Sequence, residues 1–236
     1  MNCDNRFVAH FDMLGMRALA KRNPDLAWQT LIDLSWARDE RMHLGIERRN
    51  SGNLISDRVH SFIFSDTLIA FSLGNEQDDV LALLILTTEV FTRALYYGIP
   101  LRGGISHGRF NFDIGLNLFS GPALVDAYEL GELSQWLGVV VDDYTAEVAK
   151  STPIHEHIVR WNVPVKNKRP VERNVVNWVK TQRGNYRGPI PLTIDAFYSP
   201  MAKLFGPLEE LGQTIRMKYE NTVEFFNAHY DSGIAP

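Results

Sequence analysis

Arg6-Phe7-Val8-Ala9-His10-Phe11-Asp12-Met13-Leu14-Gly15-Met16 is an apolar run that ends on a carboxylate and then on a glycine. Residues 6–12 have the composition of a buried strand, with aromatic and β-branched side chains and no turn former before Asp12. Met13-Leu14-Gly15 then reads as a tight turn into a helix, with Gly15 permitting close backbone approach. Taken alone, Asp12 is a turn aspartate or a helix N-cap. A carboxylate at the end of a buried strand is expensive unless cations meet it, so a second such residue changes the reading.

That second residue is Asp66, in Phe64-Ser65-Asp66-Thr67. Ser-Asp between two strands is an ordinary hairpin turn, because both side chains bond nearby backbone. The flanks, however, are almost wholly apolar: Phe62, Ile63 and Phe64 before, Leu68, Ile69, Ala70 and Phe71 after. Such strands are expected at the centre of a sheet, buried on both faces. Two aspartates at neighbouring strand ends make an all-oxygen site for a hard divalent cation. Mg²⁺ takes one or two carboxylates together with water and substrate phosphate, which points to chemistry on a nucleoside triphosphate. A helix starting directly after Asp12 offers backbone N–H groups of Leu14, Gly15 and Met16 to phosphate oxygens.

Working outward, residues 23–25 (Asn-Pro-Asp) break the first helix and cap a second, over about 26–47, whose Ala27, Leu31, Leu34 and Ala37 keep helical spacing. Strands follow over about 54–64 and 67–73, then an apolar helix over about 80–97 opened by Asp78-Asp79 at its favourable end. Residues 101–107 and 110–119 read as another strand pair, Gly121-Pro122 as the start of a helix reaching about Trp136, and 137–141 as a short strand. Strands alternating with long helices predict an α/β sandwich, with helices on one side of a mixed sheet. Residues 1–150 form the expected principal domain. Residues 151–236 form an extension packed on it, with alternating basic and apolar residues over 153–180, a Gly/Pro-rich stretch over 183–191, and one long closing helix over about 205–230.

Composition excludes several classes. A net charge of −4 provides no basic footprint for nucleic acid. Cys3 is the single cysteine, so neither an internal disulfide nor a thiolate metal site is expected. The longest apolar run, residues 80–86, falls far short of the roughly 20 residues that span a bilayer. Residues 1–6 lack the layout of a signal peptide. The expectation is a cytoplasmic protein in a reducing compartment. The seven histidines show no zinc spacing; His155 and His157 would share one side of a strand without a third ligand, and no Ser/His/Asp order suggests a hydrolase.

Four motifs in one order carry a resemblance. Phe11 to Met16 resembles the Phe-x-Asp-(apolar)-x-Gly-Phe signature of the class III nucleotide cyclases. Phe64-Ser65-Asp66-Thr67-Leu68-Ile69-Ala70-Phe71 is similar to that family's Gly-Asp-x-x-x-Ala-x-Phe hairpin. Leu101-Arg102-Gly103-Gly104-Ile105-Ser106-His107-Gly108 resembles its Leu-Arg-x-Gly-Ile-x-x-Gly strand, and residues 121–130 lie where it has Gly-x-x-(apolar)-Asn-x-Ala-x-Arg-(apolar). The resemblance covers residues 6–141. It implies a ferredoxin-like fold with a mixed, mainly antiparallel sheet, acting as a head-to-tail homodimer with composite sites. It also implies two Mg²⁺ or Mn²⁺ ions per site, held by Asp12, Asp66 and the Met13 carbonyl, and in-line attack of a ribose 3′-hydroxyl on the α-phosphorus.

Departures from the family narrow the expectation. Val125 and Glu129 stand where the family has its transition-state Asn and Arg, and Phe62 stands where many members read a purine with Lys or Glu. The segment over 121–130 is instead similar to the Pycsar pyrimidine cyclases of bacterial antiphage defence. That likeness implies cyclic UMP ahead of cyclic CMP as product, and a separate effector that reads it. Arg102 and Arg109, expected to flank a turn, are candidates to replace the family arginine. Ser65, Phe62 and Asn117 are candidates for the substrate pocket.

Overall fold

The computed structural model describes residues 2–44, 58–182 and 191–230. The chain opens with β1 (Asn2–Met13), α1 (Met16–Arg22) and α2 (Pro24–Leu44), followed by the hairpin β2 (Val59–Phe64) and β3 (Thr67–Ser72). Next come α3 (Gln77–Tyr96), β4 (Leu101–Asp113), β5 (Leu118–Ser120), α4 (Pro122–Glu132), β6 (Val139–Val141) and α5 (Asp143–Ala149). The remainder supplies β7 (Ile158–Val163), β8 (Val171–Val176), α6 (Val179–Gln182), α7 (Ile194–Phe205) and α8 (Gln213–His229). The strands form one sheet in the order β2-β3-β1-β4-β6-β8-β7, with β5 on β4; β2, expected at the centre, is instead the edge strand and is only partly buried, because its outer side has no neighbour on this path. Among the described residues, β4 and β6 form the one parallel pair. The predicted mixed, mainly antiparallel α/β architecture is the one observed.

Alternation along β1 divides the core. Phe7, Ala9, Phe11 and Met13 face the main core with α3, while Val8 joins Phe71, Phe110 and Ala123 on the opposite face. α3 is apolar around most of its circumference because it is packed between the sheet and α2. A capping box between Glu76 and Asp79 closes its N-terminus. The expectation of helices on one side of the sheet needs correcting, because α4 lies on the other face. There the backbone approaches so closely that a Cβ on Gly104 would stand 2.3 Å from the Ala127 carbonyl oxygen.

Four boundaries also differ from expectation. Residues 101–113 are a single strand, not a strand and half of a hairpin, because β1 extends to Asn2 and pairs with Gly108 and Arg109 through Arg6 and Asn5. α4 ends at Glu132 rather than near Trp136. The closing helix starts at Gln213 and not near 205, because α7 ends there: Gly206 adopts φ +88° ahead of Pro207, and a 3₁₀ turn at Leu208–Glu210 follows. His155–His157 form a 3₁₀ turn instead of a strand. The predicted segments over 45–57 and 183–190 lie outside the described residues. Residues beyond 150 continue the sheet, since β8 pairs with β6, and α8 buries Phe225 against Trp136 and Trp178.

Candidate active site

Register brings the two aspartates together. Asp12 sits opposite Thr67 of β3 on one side and Arg102 of β4 on the other. The Met13 N–H donates to the Asp66 backbone carbonyl at 2.9 Å, which places Asp66 at the strand end beside Asp12. The intervening turn is held tight by Ser65 at φ +55°. Asp12 keeps 28% of its side chain exposed and Asp66 is half-buried, so both carboxylates stay within reach of solvent.

Arg102 is the buried centre of this end of the sheet. Its Nε and Nη2 donate to Asp12 Oδ2 at 3.1 and 3.0 Å. Its Nη1 donates to the Glu132 backbone carbonyl at 3.0 Å, and Nη2 also meets the Glu132 carboxylate. The guanidinium is only 7% exposed and is fixed at the C-terminal end of α4, where carbonyl dipoles favour a cation. Two further charged residues belong to the cluster and were missed in the sequence. Glu132 had one weak signal, an acidic side chain at a helix C-terminus, which is unfavourable unless a cation meets it. Lys218 had none. Asn221 Nδ2 donates to the Gln135 carbonyl and Leu137 N–H to Thr222 Oγ1, both at 2.7 Å; they dock α8 just beyond Glu132, with Lys218 one turn earlier. Burial, then the neighbouring Arg102, holds the Lys218 ammonium below its usual range.

His10 shares the Asp12 face two residues back along β1 and meets Tyr128 of α4 edge-on at 5.2 Å. Burial lowers its pKa below the ordinary 6.5, against the opposing pull of the Asp12 carboxylate.

The other predicted residues divide into two groups. Met13, Leu14, Gly15, Met16 and Ser65 surround Asp12 and Asp66. The Leu14 N–H is already donated to the Pro100 carbonyl at 2.9 Å, and Met16 is buried. Gly15 caps α1 at φ +82°, and Phe205 of α7 lies so close that a Cβ there would meet its ring at 2.7 Å. Phe62, Arg109 and Asn117 stand apart. Phe62 packs on Phe119 and Phe71, with centroids 4.6 and 6.1 Å away. Arg102 and Arg109 do not flank a turn: both lie on β4, about 24 Å apart along the strand and, at odd separation, on opposite faces. Asn117, at φ +53°, sits in the exposed turn between β4 and β5. Val125 and Glu129 are exposed on α4.

The donor set suits a hard cation. Asp12 and Asp66 supply oxygens only, and among the described residues no group of three or more His, Cys, Asp or Glu is placed to hold a metal ion, at this site or at any other. Two carboxylates are enough for Mg²⁺, which keeps most of its shell as water or phosphate. Asp12 Oδ2 carries the two Arg102 N–H groups, so Oδ1 is the oxygen that could meet a cation. Beside Asp66, a cleft of about 550 Å³ opens between α1 and α2.

No family model matches the chain, and no curated protein matches it. Solved structures do. The guanylyl cyclase Cya2 aligns at 13% identity, covering 74% of this chain and 92% of its own, with a TM-score of 0.52. The catalytic core of a rhodopsin-guanylyl cyclase with converted specificity, in complex with ATPαS, aligns at 14% identity over 74% and 98% with a TM-score of 0.53. A bacterial light-regulated adenylyl cyclase aligns at 10% identity over 75% and 92% with a TM-score of 0.52. The chain has the fold of the class III nucleotide cyclase catalytic domain.

Proposed function

We propose that the chain is a pyrimidine nucleotide cyclase that converts UTP, ahead of CTP, to the 3′,5′-cyclic monophosphate and pyrophosphate. The observation that carries this reading is the pair Asp12 and Asp66, brought together at the end of β1 and in the β2–β3 turn of a cyclase fold. In the reaction the ribose 3′-oxygen bonds to the α-phosphorus, its proton is lost to solvent, and the bond from that phosphorus to the bridging oxygen breaks, releasing pyrophosphate. Two Mg²⁺ or Mn²⁺ ions at Asp12, Asp66 and the Met13 carbonyl would neutralise the polyphosphate and acidify the 3′-hydroxyl. Arg102, by holding Oδ2, sets the orientation in which Asp12 presents its other oxygen.

Phe62 stands apart from Asp12 and Asp66 within one chain, so it meets a base only in a composite site of the homodimer; there its phenyl ring, packed on Phe71 and Phe119, would offer no hydrogen bond to a purine edge. Assembly as a head-to-tail homodimer is supported by exposed apolar side chains on α4 and at the hairpin, among them Val125, Tyr128 and Phe64. A cyclic pyrimidine product read by a separate effector in antiphage defence completes the proposal. One observation favours a second reading, a module that binds nucleotide without turning it over: α4 carries Val125 and Glu129, both exposed, where an Asn and an Arg would serve the transition state.

Incubation of the purified chain with ATP, GTP, CTP and UTP separately, each with Mn²⁺, followed by product identification, separates these readings. Cyclic UMP or cyclic CMP is the expected product. A cyclic purine product refutes the base assignment, and metal-dependent triphosphate binding without pyrophosphate release establishes the module.

A further inference from the structure

Two turns lie beside Asp12: residues 14–15 after β1, and residues 98–100 before β4. Both are covered by α7, a helix outside residues 6–141, where the cyclase motifs fall. Tyr198, Met201 and Leu204 are buried and fix α7 to the main core. Phe205, the last residue of the helix, is only partly buried and leans instead on Gly15. With no side chain on Gly15, the ring lies directly against the backbone of the turn; a Cβ there would stand 2.7 Å from it.

Further contacts hold this end of α7. The Arg22 guanidinium, at the end of α1, donates to the Leu204 carbonyl, where the α7 dipole favours a cation. The Tyr198 hydroxyl donates to the Gly206 carbonyl at 2.9 Å. The Pro200 carbonyl packs so closely on Gly98 that no Cβ fits there. The same turn supplies the Pro100 carbonyl that receives the Leu14 N–H at 2.9 Å. α7 therefore meets Gly15 directly and Leu14 through residues 98–100. The helix that follows the turn adds little support, since α1 has seven residues and no side-chain cap at its N-terminus.

We propose that Phe205 is a positioning residue for Asp12: its ring fixes the turn at residues 14–15, and through that turn the direction in which Asp12 meets a cation. The inference rests on the cyclase reading above, which makes Asp12 a cation ligand. Without the ring the turn samples other geometries, and apparent cation affinity falls with the fraction of time that the competent one is held.

Calorimetric titration of the full chain with Mn²⁺, and amide hydrogen exchange of the metal-free chain, test this in wild type, Phe205→Ala and Phe91→Leu. Phe91 of α3 is fully buried and packs on Trp178, so its variant loosens the core while keeping the Phe205 ring. In Phe205→Ala, Mn²⁺ affinity should fall about fivefold, as when the competent geometry is held about a fifth of the time. Exchange at Met13 and Leu14 should quicken about tenfold relative to Val8 and Ala9 in the middle of β1. Phe91→Leu should leave the affinity and that exchange ratio unchanged. In turnover, the Mn²⁺ concentration for half-maximal rate should rise about fivefold in Phe205→Ala, and saturating Mn²⁺ should restore most of kcat. Unchanged Mn²⁺ affinity in Phe205→Ala, or an equal fall in Phe91→Leu, overturns the proposal. Wild type that binds no Mn²⁺ overturns it together with the cyclase reading. The expected fall in a chain that turns over none of the four nucleotides sustains the positioning role and refutes the cyclase reading alone. If Phe205→Ala does not fold, Phe205→Leu decides: a fall of about twofold is expected, and no fall refutes the proposal.

Discussion

Replacing Arg102 with methionine removes the one cation that joins β1, β4 and the end of α4, while keeping most of the buried stem. Four contacts are lost: two to Asp12 Oδ2, one to the Glu132 carbonyl and one to the Glu132 carboxylate. Breaking a fully buried ion pair costs about 3–5 kcal/mol. Here the partners are 28% and 42% exposed, so water compensates part of the loss, and about 2–3 kcal/mol is expected. For a chain of this size that corresponds to a fall in Tm of roughly 5–10 °C. Urea unfolding followed by circular dichroism measures it. Arg102→Lys should recover less than half, because an ammonium cannot reproduce the fork. In a double-mutant cycle with Asp12→Asn, a coupling of about 1 kcal/mol or more is expected. If Arg102→Met stays within about 0.5 kcal/mol of wild type, or the two changes are additive, Arg102 does not hold Asp12 in solution.

Asp66→Ala should reduce turnover at least about a hundredfold by removing a cation ligand. Stability should stay within about 1 kcal/mol, because the backbone carbonyl that receives the Met13 N–H is retained; persistent turnover would overturn the ligand role. Gly104→Ala forces α4 away from the sheet, since its Cβ would stand 2.3 Å from a backbone oxygen. A loss of about 2–3 kcal/mol in chemical denaturation is expected, and a neutral effect would show that α4 does not pack as described. Burial is the leading cause that lowers the pKa of His10, His107 and His157 from 6.5. The native state therefore binds fewer protons than the unfolded chain just below that value, so stability is full above about pH 6.5 and falls as the pH drops towards 5.5. Urea midpoints from pH 7.5 to 5.5 should show this decline, and a flat profile would mean that these rings are not buried.

Where local pattern and tertiary demand agreed, the residues were readable in advance. The apolar run ending on Asp12 announced a central strand, because a strand covered on both faces tolerates few polar residues and a charge stands out at its end; the equally apolar run before Asp66 misled, since β2 lies at the edge of the sheet. Gly108-Arg109 shows the converse. Locally the pair reads as a turn, yet β1 extends far enough to continue the ladder through both residues, and ladder hydrogen bonds outweighed the turn preference. The closing segment also misled, since an apolar period does not disclose that Gly206 leaves the helical region before Pro207.

The amino-acid sequence by itself determined the order of strands and helices as far as β6, the two carboxylates, and the class of fold they imply. Each of these follows from interactions within a short window: side-chain periodicity, turn chemistry, and the cost of charge in an apolar run. Tertiary structure alone decided that Arg102 belongs to Asp12, that α4 lies on the opposite face, and that Glu132 and Lys218 complete the cluster from far along the chain. It also laid Phe205 of α7 against Gly15. Those relations depend on strand register and helix docking, which bring together residues with no local influence on one another.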